Sequence, residues 1–183
     1  MTHPSVFCAG EEGQWRIVDI KQVCGLSLPP ADFLKITDID AREEGKGWLL
    51  RGTAGHARYT TRSEADQLAL RQDPLGRASA RCAALIPIRK SEAWWSLVQD
   101  ERRSIIEETS QHFRIGMDYL PAVARKLYHS RDLGEPFDFL TWFEFAEESA
   151  DEFETLLTRL RATEEWRYVE REVDVRLRRA DQL

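Results

Sequence analysis

Cysteine is scarce in this chain. Only Cys8, Cys24 and Cys82 occur among 183 residues, with no Cys-x-x-Cys pair anywhere. That excludes a zinc knuckle and a thioether-linked cofactor, and leaves reduced, buried or idle thiols. Long apolar runs are missing as well, so no segment reads as a membrane span. Met1 to Gly13 lacks the basic start and apolar stretch of a signal peptide, and the expectation is a cytoplasmic protein with no membrane partner. Basic residues are the minority, 26 against 32 acids, for a net charge of −6. A general nucleic-acid binder needs clustered Lys and Arg on phosphates, so no nucleic-acid partner is expected. There is no glycine-rich phosphate loop, no Ser/His/Asp motif and no His-x-Glu signature. Low-complexity tracts and polar linkers are also absent.

What is present is an ordinary globular mixture, 42% hydrophobic and 32% charged. The length suits one large domain or two small ones. The second half carries the clearer pattern. Arg81 to Ile88 (RCAALIPI) reads as an apolar strand. Ser91 then opens a helix running to about His112, with Trp94, Val98, Ile105 and His112 on its inner face. Ala122 to Tyr128 is a strand, and Arg131 to Pro136 a turn. Phe137 to Phe145 alternates strictly. Phe137, Phe139, Thr141, Phe143 and Phe145 fall on one face, and Asp138, Leu140, Trp142 and Glu144 on the other. Ser149 to Glu152 is a capping box opening a helix that buries Phe153, Leu156, Leu157 and Leu160. Trp166 to Val175 closes as a strand. The order β-α-β-β-α-β is the ferredoxin-like unit.

Residues 1–80 look like a reduced copy. Trp15 to Ile20, Phe33 to Ile39, Trp48 to Arg51 and Ala57 to Thr61 read as strands, and Ser63 to Arg71 as one short helix with a Ser-x-x-Asp start. The predicted fold is therefore α+β. A shortened N-terminal ferredoxin-like half, 1–80, lies beside a complete C-terminal half, 81–183, and the two form an α+β barrel.

Four histidines are available, and only His112 lies on an apolar helix face, among Ile105, Ile106 and Phe113. It reads either as a core histidine satisfied by one hydrogen bond or as a metal ligand. A ligating histidine normally gives its other N–H to a carboxylate. Glu165, after the second long helix, could come near the end of the first, or simply be a solvated acid. Arg125 stands inside a short apolar strand, where an unpaired charge is costly. It can point to solvent, pair with an acid, or hold a small anion over a pocket with its planar fork of donors. Lys90-Ser91-Glu92-Ala93-Trp94-Trp95 marks a helix start whose adjacent tryptophans diverge by about 100°.

At these residues the sequence resembles the chlorite dismutase family of haem b proteins. The similarity runs through Lys90-x-x-x-Trp94-Trp95, Glu101-Arg102, His112, and Tyr119-Leu120-x-x-Val123-x-Arg125-Lys126-Leu127-Tyr128-His129-Ser130. Asp138-Phe139-x-Thr141-Trp142-Phe143-Glu144 continues it, and the resemblance is good over about Lys90 to Tyr168. It implies conversion of chlorite to chloride and dioxygen at haem b. His112 matches the proximal iron ligand, and Glu165 the acid bonded to that histidine. Lys90 matches the lysine near that acid and a haem propionate. Trp94 and Trp95 match the pair flanking the haem, Tyr59 a propionate-contacting tyrosine, and Leu120 a residue shaping the distal side. Arg125 matches the distal catalytic arginine, which would keep the hypochlorite fragment near the iron until the O–O bond forms. Coproporphyrin-processing enzymes of the superfamily generally lack that arginine, so Arg125 favours chlorite chemistry over them and over a non-enzymatic haem-binding protein. The short N-terminal half is similar to the short class of the family, which implies a homodimer. Two departures stand out: the span from Lys90 to His112 is about one helical turn longer than the commoner pattern, and the N-terminal half is much shorter than in long members.

Overall fold

The computed structural model describes residues 3–38, 47–54 and 61–180. In chain order the strands and helices are β1 Ser5–Gly10, β2 Trp15–Cys24, β3 Phe33–Thr37, β4 Leu49–Gly52, α1 Arg62–Arg71, β5 Cys82–Lys90, α2 Glu92–Ser96, α3 Gln99–Arg103, α4 His112–Met117, β6 Val123–His129, β7 Phe139–Phe145, α5 Ala150–Arg161 and β8 Val169–Arg179.

All eight strands form one sheet in the order β4-β1-β3-β2-β8-β5-β7-β6. Split between β2 and β8, this is the same antiparallel 4-1-3-2 order written twice. The ferredoxin-like reading of the C-terminal half therefore holds, and the N-terminal half repeats its strand order. The halves join along β2 and β8, from Trp15↔Arg179 to Cys24↔Glu172. At the opposite edges Thr53 and His129 exchange two backbone hydrogen bonds, 2.9 and 3.0 Å. That single bridge turns the sheet into a nearly closed barrel.

Period-two patterning explains which side chains fill it. Ala83 and Leu85 of β5, Tyr128 of β6, Leu140 and Trp142 of β7, and Val173, Val175 and Leu177 of β8 point inward against Phe7, Trp15, Leu34 and Leu50 of the other half. The alternate residues, such as Ile86, Ile88, Phe139, Phe143 and Phe145, face outward under α4 and α5. Strand β5 is apolar on both faces because both are covered. Helix α5 buries Phe153, Leu156, Leu157 and Leu160, as its spacing predicts. Phe153 stacks on Phe145 with ring centroids 4.4 Å apart.

Several expectations need correction. Ser5–Gly10 is a strand that the sequence pattern did not reveal. Of the stretch read as a strand at Ala57 to Thr61, residues 57–60 lie outside the described residues, as does Ile39. Thr61 instead caps α1, in a reciprocal box with Glu64. Ser149 makes no side-chain cap, because Glu147–Ser149 is already a 3-10 turn. The alternation of β7 fails at its start: Phe137 enters the barrel interior and Asp138 turns to the outer face.

The largest correction concerns the helix expected from Ser91 to His112, which is broken. Helices α2 and α3 are single turns, Ser104–Thr109 is a wide π-type turn, and Gln111 adopts the left-handed conformation at φ 52°. Val98, expected inside, is exposed, and Ile106 is buried. His112 thus begins a new helix instead of ending a long one.

Candidate functional site

The break at Gln111 aims His112 across the chain. Its Nδ1 lies 2.7 Å from Oε2 of Glu165, at the head of the 3-10 turn Glu165–Tyr168. The other carboxylate oxygen, Oε1, accepts from Nζ of Lys90 at 2.8 Å. Lys90, the last residue of β5, also reaches the Glu165 carbonyl at 3.4 Å. The Glu165 N–H donates to Oγ of Ser110 at 2.9 Å. Lys90 and Glu165 are both buried. Nζ of Lys90 sits 4.3 Å above the ring of Trp94, a fully buried indole. Trp166 stacks beside the His112 imidazole at 28° and is fixed in turn through its N–H to Glu172.

Burial would raise the Glu165 carboxyl, but the facing charges of His112 and Lys90 outweigh it and bring the group down to about 2. Burial pulls the Lys90 ammonium below its ordinary range, against the attraction of Glu165. Glu165 is therefore an acceptor at any ordinary pH. It orients the ring of His112 through Nδ1 and leaves Nε2 without a partner among the described residues.

Beside His112 opens a cavity of about 570 Å³. His112, Lys90, Trp94 and Glu165 border it from one side, Ile88, Leu127 and Phe139 from the sheet, Leu68 from α1 and Gln72 from just after it. Arg125 of β6 borders it too. Among the described residues its guanidinium has neither an ion pair nor a hydrogen bond. Loss of water around it draws its pKa down to about 10, and the charge of Glu107 works the other way. Gly116, one turn after His112, makes the room: a Cβ there would lie 2.1 Å from Nη1 of Arg125.

Five of the residues singled out in the sequence thus converge on one cavity: Lys90, Trp94, His112, Arg125 and Glu165. Two do not border it. Trp95 lies behind the wall, stacked on Phe139 at 6.1 Å, with Arg131 3.9 Å from its ring. Leu120 is absent from the lining. Tyr59 falls in 55–60, outside the described residues. Sequence reasoning missed Gln72, whose Oε1 accepts from the Arg125 N–H at 3.3 Å. It also missed Glu107, a cavity residue whose carboxyl is held above its ordinary range by burial. On a regular helix Glu107 and His112 point about 140° apart, and only the irregular turn brings them to one cavity. Gln72, the residue after α1, offered no signal.

Among the described residues the arrangement offers one imidazole nitrogen without a partner, on a ring backed by a buried acid and cation, and one unpaired guanidinium in a mostly apolar chamber. Among the described residues no three His, Cys, Asp or Glu side chains converge to hold a metal ion by themselves.

Comparison with known proteins places the chain in a family. The family model for chlorite dismutase matches residues 41–179. The chain belongs to the chlorite dismutase family. A crystal structure of the dimeric chlorite dismutase from Nitrobacter winogradskyi superimposes with a TM-score of 0.90 at 56% identity, covering 96% of this chain and 99% of that one. A tryptophan variant of the chlorite dismutase from Candidatus Nitrospira defluvii shares the fold, with a TM-score of 0.70 at 22% identity over 97% of this chain and 91% of that one. The chlorite dismutase of Ideonella dechloratans is 39% identical over 64 residues, which is 35% of this chain and about a fifth (21%) of the length of that curated relative. No helix among the described residues is long and apolar enough to cross a membrane.

Proposed function

We propose that this chain is a haem b enzyme converting chlorite to chloride and dioxygen, working as a homodimer. The observation that carries the reading is an unpaired arginine facing the same cavity as an acid-backed histidine. The residues present fit a haem: the cavity of about 570 Å³ is walled mainly by apolar side chains, and it is bordered by His112, whose Nε2 has no partner among the described residues. Haem, when bound, supplies the iron on which oxygen is exchanged with the oxyanion.

The protein's own part follows from its geometry. His112 would hold the iron. Glu165 takes the Nδ1–H and adds negative character to the ring, which favours ferric iron. Lys90 shares Glu165 and limits that effect. Trp94, Ile88 and Phe139 keep water from the chamber, so charges inside it act strongly. Arg125 binds the anionic substrate and keeps the hypochlorite formed from it in place until chloride and dioxygen leave. A planar fork of donors suits a small oxyanion better than a point charge does.

An oxygen electrode supplies the test. Haem-loaded protein given chlorite is expected to release one dioxygen per chlorite consumed. His112→Ala should lose the Soret band and the activity together. Haem binding without oxygen release would assign the chain to haem binding instead, and a His112→Ala variant with an unchanged visible spectrum would overturn the ligand assignment.

A further inference from the structure

We infer that Asp138 is a positioning residue that sets where Lys90 places its charge on Glu165, and through it tunes the imidazole of His112. The inference rests on the haem reading above. Asp138 is buried just before β7, where strand parity would send it into the barrel. It turns outward instead. Oδ2 accepts from the Lys90 N–H at 2.7 Å and from the indole N–H of Trp95 at 3.1 Å. Oδ1 accepts from Nη1 of Arg131 at 3.2 Å. The backbone of Asp138 is fixed as well. Its N–H donates to the Ile88 carbonyl at 2.8 Å, and its carbonyl accepts from Ser130 and Arg131 at 2.9 and 3.2 Å.

The position of this carboxylate matters because the sheet ladder stops there. Pairing of β5 with β7 ends at Ile88↔Phe139, and pairing of β5 with β8 slips between Arg89 and Lys90. The Lys90 N–H is thus taken up by the Asp138 side chain where a neighbouring strand would otherwise supply a carbonyl. One carboxylate fastens the end of β5, the indole of α2 and the turn at Arg131. The Lys90 side chain then leaves in a defined direction, over Trp94, onto Glu165. Freed of that clamp, Lys90 would share Glu165 less, and the acid would act more fully on His112.

The sign of the effect separates this role from two others. Loss of the Asp138 charge acting only through space would raise the Fe(III)/Fe(II) midpoint potential of the haem-loaded protein. A purely structural role would leave the potential unchanged and lower stability alone. Positioning through Lys90 predicts a downward shift in Asp138→Ala and a smaller one of the same sign in Asp138→Asn, which keeps one acceptor. In a Lys90→Met background both shifts should vanish, because the intermediary is gone. An upward shift, no shift, or the same shift in the Lys90→Met background overturns the assignment. Hydrogen exchange in the haem-free protein gives an independent reading. The Lys90 amide should exchange slowly in the parent, at least tenfold faster in Asp138→Ala and at an intermediate rate in Asp138→Asn, and equal rates in parent and alanine variant would also overturn it. If the parent takes up no haem, the haem reading fails by itself, and the exchange rates still decide the clamp.

Discussion

Arg125 and Glu165 are two charges held in the same way, by removal of water, with opposite results. Glu165 has an ion-pair partner in Lys90 and a hydrogen-bonded imidazole in His112, and stays ionised. Arg125 has none among the described residues and is left ready for an anion. Arg125→Ala should therefore fold and bind haem, since it removes neither a ligand nor an ion pair. It should lose part of its chlorite turnover, with one charge-assisted contact worth roughly 1.5–3 kcal/mol. It should also leak hypochlorite, so that the haem bleaches after fewer turnovers and a hypochlorite trap prolongs activity. Equal total oxygen from variant and parent, with nothing trapped, would remove Arg125 from the mechanism. For Glu165 the consequence is seen against pH. Its folded pKa of about 2 lies below its ordinary value of 4.5. The stabilisation it contributes is complete above the ordinary value and is lost as pH falls from there toward the folded value. Glu165→Gln should flatten that acid limb in a urea titration of the haem-free protein run between those pH values. A parent and variant with the same acid limb would contradict the coupling to His112 and Lys90.

Among the elements, α5 and β7 show what sequence patterning carries well. Phe153, Leu156, Leu157 and Leu160 repeat at helical spacing, and all four are buried against the outward residues of the sheet. Phe153→Ala should cost about 3–5 kcal/mol, measurable as a drop in denaturation midpoint at constant slope, and a change under 1 kcal/mol would mean that α5 is not packed as described. The segment from Ser91 to His112 shows what patterning misses. Trp94, Val98, Ile105 and His112 sit at spacings a single helix could serve, yet the chain reaches His112 through a π-type turn and a left-handed Gln111. Periodicity assumes an unbroken helix, and here side-chain contacts interrupt it: Arg102 donates to the carbonyls of Trp94 and Trp95 at 3.0 and 2.6 Å, and Ser110 accepts from the distant Glu165. The family motif named His112, Lys90, Glu165 and Arg125 without needing the path between them. It could not show that Trp95 stands behind the wall, nor that Gln72 comes to the cavity from just after α1. The pairing of Lys90 with Asp138 was equally hidden, because 48 residues separate them.

Taken whole, the molecule is one sheet of two matching halves, joined along a long seam and closed by one bridge. The 56% identical crystal relative from Nitrobacter winogradskyi is dimeric, and light scattering of this protein is expected to give about twice the chain mass of 21.2 kDa. A monomer at micromolar concentration, or a pentamer, would refute the homodimer.

The repeated strand order also divides the risk of mutation unequally. The chamber lies on the outer face of the C-terminal sheet, and among the described residues of the first 80 it is α1 and the Gln72–Pro74 segment after it that border it. A substitution in β1 to β4 reaches the chemistry only by loosening the barrel, so its effect is graded and can be offset elsewhere. Under the proposed function, a substitution at Lys90, His112, Arg125 or Glu165 would act on the reaction directly. In lineages descending from this sequence, the N-terminal strands are therefore free to drift in composition and length, and the stretch from β5 to Trp166 is not.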